Sequence, residues 1–159
     1  MDFDEIKSAS VGSWAGDNIL RLSWMEPQEY HSTSELSVRP TVGGKYLAFA
    51  YTWSHENMPQ EGLLLIGYDA KNKVANAVWV DSWHASEKPL TLSGGDDGQG
   101  KIDLRGTYEV PNHPEWGWRI VISTFAESLE IIMYNVSPEG EEDLAVRADY
   151  KKRSSAATK

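Results

Sequence analysis

From residue 42 to 83 the chain reads VGGKYLAFAYTWSHENMPQEGLLLIGYDAKNKVANAVWVDSW, and over 45–55 its large apolar side chains recur every second position. A period of two specifies extended strands with two distinct faces, and a 3.6-residue helical repeat is absent. Over residues 45–55 one face carries Leu47, Phe49, Tyr51, Trp53 and His55. The other carries Tyr46, Ala48, Ala50, Thr52 and Ser54, so the larger face is expected to line an interior. After ENMPQ, residues 61–68 form a second strand, and the turn formers at 69–73 reverse the chain into a third at 74–84. That strand has Ala75, Ala77, Trp79, Asp81 and Trp83 on one face, with Val78, Val80, Ser82 and His84 opposite. Both faces are partly apolar; the Trp79–Asp81–Trp83 face is taken as inward.

The same reading extends along the whole chain. Residues 2–10 suit one or two helical turns, with Asp2 or Asp4 at the positive end and Phe3 and Ile6 facing one way. In GSWAG (12–16) the glycines permit a bend or a close backbone approach, and Trp14 is placed to plug a barrel end. Further strands are expected at 18–24, ended by Pro27, and at 31–39, stopped by Pro40. Beyond the central stretch, strands are expected at 89–93, 101–110, 116–124, 128–136 and 143–150, with a loop at 94–100. About nine or ten short strands without a long helix specify an all-β sandwich or closed barrel. Residues 1–150 are expected to form one domain, and residues 151–159 a disordered basic tail.

Composition removes several classes of function. The 159 residues suit a single domain with a real core, and there is no cysteine, which excludes disulfides and thiolate chemistry. A net charge of −9 disfavours nucleic acid and anionic membrane surfaces, both of which need clustered Lys and Arg. The longest apolar run, 63–67, is far short of the ~20 residues of a membrane helix. The acidic start MDFDEIK lacks the pattern of a secretory signal, so a cytoplasmic protein is expected. Seven Trp and seven Tyr make an unusual supply of side chains for filling or lining a cavity.

Taken in order, VGSWAG (11–16), VGGKYL (42–47), EGLLLIGYD (61–69), VWVDSW (78–83), LEIIMY (129–134) and the final Tyr150-Lys151-Lys152 resemble a bacterial lipocalin-like family, domain of unknown function fifteen seventy-nine. The resemblance covers nearly the whole chain. It implies a calycin-type antiparallel barrel with a ligand-sized interior and no assigned activity. Arg147 and Lys152 stand where that family more often has an acidic residue and Arg, so a salt bridge at the barrel end is not carried over. GSWAGDN is also similar to the start of nitrobindin-type haem barrels, but Asn18 replaces their last Gly. Those barrels hold iron through a His near the C-terminus, and no His follows His113 here, which leaves His55 or His84 as substitutes. No cofactor is expected.

Asp81, between two Trp on an expected inner wall, is the ionisable residue of most interest. It reads as a polar anchor for a ligand or a general base, or as a structural carboxylate bonded to a neighbouring strand. His55 and His84 lie near strand ends and are expected at one rim; no HxH or HxxxH spacing makes them a metal pair. Segment 96–100 with Asp103 lacks the alternating ligands and final Glu of a calcium loop and reads as a hairpin tip. No nucleophile elbow, phosphate loop or dinucleotide motif is present. The expected ligand-binding set is Trp24, Tyr51, Trp53, His55, Trp79, Asp81, Trp83 and Trp118, with Trp116 in the wider aromatic group. Three functions are compatible with it. The first is binding of a small hydrophobic or aromatic molecule. The second is an enzyme on such a ligand with Asp81 as acid or base. The third is a filled barrel acting as a structural or dimerising module through a second copy of the chain.

Overall fold

A computed structural model describes residues 2–154. A helix, α1 (Phe3–Ser10), precedes ten strands: β1 (Gly12–Arg21), β2 (Glu29–Thr41), β3 (Tyr46–His55), β4 (Met58–Asp69), β5 (Val74–Asp81), β6 (Ala85–Asp96), β7 (Lys101–Tyr108), β8 (Trp116–Thr124), β9 (Ser128–Val136) and β10 (Glu142–Lys152). Each strand pairs antiparallel with its neighbours in sequence, and β1 pairs with β10 to close the barrel. Closure leaves no free sheet edge. The chain is thus an all-β antiparallel barrel with one short N-terminal helix, all-β as the alternation predicts and a barrel as the resemblance implies.

The parity of β3 is the one expected, and so is that of β5 as far as Asp81. Leu47, Phe49, Tyr51 and Trp53 of β3, Leu64 and Ile66 of β4, and Ala75, Ala77, Trp79 and Asp81 of β5 are all buried. Aliphatic side chains from β7, β8 and β9, among them Ile102, Leu104, Ile120, Ile122 and Ile131, complete the core. Outward from β3–β5 lies an apolar surface in which Ala48 pairs with Leu65 and Ala50 with Leu63, and these in turn neighbour Val78 and Val80.

The helix caps one end. Asp2 accepts from the Glu5 amide while the Glu5 carboxylate accepts from the Asp2 amide, a reciprocal capping box. Phe3 and Ile6 are buried on one face, and the Phe3 ring stacks on Tyr68 at 4.4 Å. Lys7 donates to the Gly44 carbonyl in the β2–β3 turn, and Ser10 bonds Thr124 at the end of β8. Trp14 is wholly buried at this end, donates to the Ser10 carbonyl, and has the Lys152 ammonium 5.4 Å above its ring.

Several expected boundaries shift. The first strand lies earlier, at β1, because the pairing of Gly12 to Arg21 with β2 starts at the glycine; Trp24 falls in the following turn, 71% exposed. Pro40 does not stop β2, which continues to Thr41 with Pro40 exposed opposite Leu47. The ENMPQ connection shortens to a two-residue hairpin at Glu56 and Asn57, both with positive φ, and His55 pairs with Met58. Residues 94–96, expected in a loop, belong to β6. Lys151 and Lys152, expected in the tail, lie in β10, and the Arg153 amide donates to the Ser13 carbonyl. The rest of that tail, 155–159, lies outside the described residues.

Candidate aromatic site at the open end

The barrel end opposite α1 gathers most of the residues singled out from sequence. Tyr51, Trp53 and His55 arrive on the last turns of β3, Trp79 and Asp81 on β5, and Trp118 at the start of β8. Beyond Asp81 the strand breaks, because its Oδ1 accepts from the Trp83 and His84 amides at 2.9 and 3.0 Å and folds residues 82–84 into a tight turn. Trp83 therefore leaves the face it would share with Asp81 and is 37% exposed. His84, expected on the opposite face, turns toward the barrel axis instead.

Asp81 Oδ2 accepts from the Tyr51 hydroxyl at 2.6 Å and from the Trp53 indole at 3.2 Å. The Tyr51 oxygen in turn accepts from the Trp79 indole at 2.9 Å. A carboxylate offers about four acceptor directions, and four protein donors use them here. Burial, followed by the Asp81 charge, pushes the Tyr51 phenol well above its ordinary range, so it stays a donor. Space for this phenol comes from Gly62, since a Cβ there would lie 2.2 Å from the Tyr51 hydroxyl.

Four tryptophans surround the His84 imidazole. Its ring centre is 4.8 Å from Trp83, 5.5 Å from Trp53 and Trp118, and 5.8 Å from Trp79. Trp79 and Trp118 stack on each other at 5.1 Å and 13°. Burial pushes His84 down to about 4; the Asp81 charge opposes the shift and His55 adds to it. The imidazole is thus uncharged near neutral pH. His55 sits at the rim between Tyr30 and Trp83, and its Nδ1 has no hydrogen-bond partner among the described residues. The buried Trp118 Nε1 is likewise unpartnered.

Above the Trp79–Trp118 stack lies a cleft of about 990 Å³. It exists because the β6–β7 ladder runs only from Ser93–Arg105 to Asp96–Ile102, and the strands part toward the open end. One wall is formed by Lys88 and Leu90, the other by Tyr108 and Val110, with Trp79, Trp118 and His84 as the floor. Sequence reasoning missed these wall residues; Pro89 and Pro111, which interrupt strand pairing, are the signal that marks them. It also missed the role of Asp81 in ending its strand. Trp24 is not part of the cluster. Among the described residues no group of three or more His, Asp or Glu is placed to hold a metal ion, and no helix is long and apolar enough to cross a membrane.

Sixteen solved chains match the fold. Among them is the crystal structure of Rv2717c from M. tuberculosis, with 12% identity, a TM-score of 0.70, and coverage of 94% of this chain and 96% of that one. At that identity the likeness shows the barrel alone. No curated protein sequence matches. The family profile described as "Protein of unknown function (DUF1579)" matches residues 6–152. With its closed ten-strand barrel and this match across almost its full length, the chain belongs to the DUF1579 family.

Proposed function

We propose that the barrel binds a small, planar, mostly apolar or aromatic molecule in the cleft between β6 and β7. The observation that carries this reading is the floor: a stacked Trp79–Trp118 pair beside an uncharged imidazole, at the base of a 990 Å³ opening. A bicyclic ring that loses ~200 Å² of apolar surface gains about 5 kcal/mol at ~25 cal/mol per Å², a dissociation constant in the hundred-micromolar range for a bare probe. Walls that add contacts would tighten a natural ligand beyond that. Asp81 is a positioning residue in this reading: its four bonds hold Tyr51, Trp53 and the 82–84 turn, leaving no acceptor direction for a substrate proton. An acid–base role therefore draws no support from the geometry.

Titration with naphthalene or coumarin, followed through the indole N–H signals of the seven tryptophans, tests the proposal. Shifts confined to Trp79, Trp118 and their neighbours are expected. Val110→Arg, which places a charged side chain in the cleft wall, is expected to weaken both probes at least about tenfold with the β4 and β9 amide signals unmoved. Absence of any shift at saturating probe would refute the reading.

A further inference from the structure

The cage of four tryptophans is already occupied by a ring of the protein's own, and that ring is weakly held. The His84 backbone amide donates to Asp81 Oδ1, and among the described residues its imidazole makes ring contacts alone. It projects from a three-residue turn between β5 and β6, so a change at one or two side-chain torsions moves it without disturbing a strand ladder. Next to it, Trp118 is 8% exposed and its indole N–H is shut off from water without an acceptor. A buried donor left unpaired is costly, and such atoms in a native structure call for an explanation. The other indole and phenol donors beside it are satisfied: Trp53 donates to Asp81, Trp79 to Tyr51, and Tyr51 to Asp81.

We propose that the imidazole of His84 is a built-in plug, displaced when a planar aromatic ligand enters the tryptophan cage and accepts a hydrogen bond from Trp118 Nε1. The proposal rests on the binding function above and names its ligand class: flat, uncharged rings bearing a carbonyl-type acceptor at the edge. Trp118 lines the cleft and stacks on Trp79, so a ring sliding over that pair reaches the indole edge once His84 has moved. The displaced imidazole enters water at the cleft mouth, beside Lys88 and Ala85. No covalent step is involved; one ring replaces another, and the orphaned donor gains a partner.

The test compares naphthalene, which has no acceptor, with coumarin, a flat neutral bicycle with a lactone carbonyl. Coumarin is expected to bind about tenfold tighter to the full chain, the worth of one satisfied hydrogen bond. Trp118→Phe removes the N–H and also shrinks the stacking surface, so both probes should weaken, and coumarin should lose its tenfold advantage over naphthalene. His84→Ala removes the plug and should tighten both probes by about tenfold, because no closed state has to be opened first.

A readout independent of folding is the NMR titration of the His84 ring, done with and without saturating coumarin. Expulsion moves its midpoint from about 4 up toward the ordinary imidazole value, since burial and the neighbouring His55 no longer act on it. Binding of both probes with equal affinity, or an unchanged His84 midpoint in the coumarin complex, would overturn the plug while leaving the cleft reading in place. No binding of either probe to wild type or His84→Ala would overturn both.

Discussion

Gly62 decides whether the Asp81 network can exist. It lies on the inward face of β4, paired with both Tyr51 and Asp81, and the Tyr51 ring passes directly over it. A methyl group there would meet three atoms of a buried phenol that has no alternative site. Gly62→Ala is therefore expected to destabilise the barrel by about 1–3 kcal/mol in urea unfolding, the cost of overpacking. The usual effect of this substitution in a strand, a modest gain, is what would show that the Tyr51–Asp81 bond does not matter. Asp81 itself was legible in the sequence as an inward carboxylate between tryptophans. That it bonds Tyr51 and Trp53 was not, because those bonds depend on a register between strands about thirty residues apart; the two amides of its own turn are a local feature that strand alternation does not reveal.

Among the elements, β4 and β5 are the ones whose two faces the sequence leaves ambiguous, since Leu63, Leu64, Leu65 and Ile66 are consecutive and all apolar. Pairing with β3 resolves it. Leu64 lies opposite Phe49 and is 1% exposed, whereas Leu63 lies opposite Ala50 and is 40% exposed. Thermal denaturation of two neighbouring variants checks the assignment. Leu64→Lys buries an unpaired charge and is expected to cost more than about 4 kcal/mol, a large part of the roughly 5–15 kcal/mol that holds a domain folded. Leu63→Lys should stay within about 0.5 kcal/mol of wild type. A one-residue slip in register would exchange these outcomes. β5 shows why alternation cannot be run past a strand end: the rule places Trp83 inward and His84 outward, and the Asp81 turn reverses their roles.

Across the whole molecule, the two barrel ends are built differently. One is closed by α1, whose own Phe3 and Ile6 are buried along with Trp14, and the other opens where β6 and β7 part. Placing an uncharged histidine at that open end couples global stability to pH. In the unfolded chain His84 takes up a proton near its ordinary value of 6.5, whereas in the folded chain it does so only near 4. Between those values the unfolded state binds the extra proton, so its contribution to stability is complete above 6.5 and is lost as pH falls toward 4. The loss is at most about 3 kcal/mol at 1.36 kcal/mol per pKa unit, and smaller to the extent that the ring meets water at the cleft. Chemical denaturation at pH 7.5 and 5 should show the decline in wild type and a clearly flatter profile in His84→Gln. Equal profiles would place the imidazole in solvent.

The sequence alone determined what depends on neighbours along the chain. A two-residue period names the strands and the inner face of β3, Asp2 or Asp4 with Phe3 and Ile6 announces the helix, and fourteen Trp and Tyr residues indicate a chain rich in groups that line or fill an interior. Only the tertiary structure decided what depends on distance across the barrel. Closure through β1 and β10, the gap between β6 and β7, and the gathering of Trp53, Trp79, Trp83 and Trp118 around His84 all require strands remote in sequence to meet in a fixed register. Local alternation sets which way a side chain points, but the shear of the closed sheet sets what it points at, and that quantity belongs to all ten strands together.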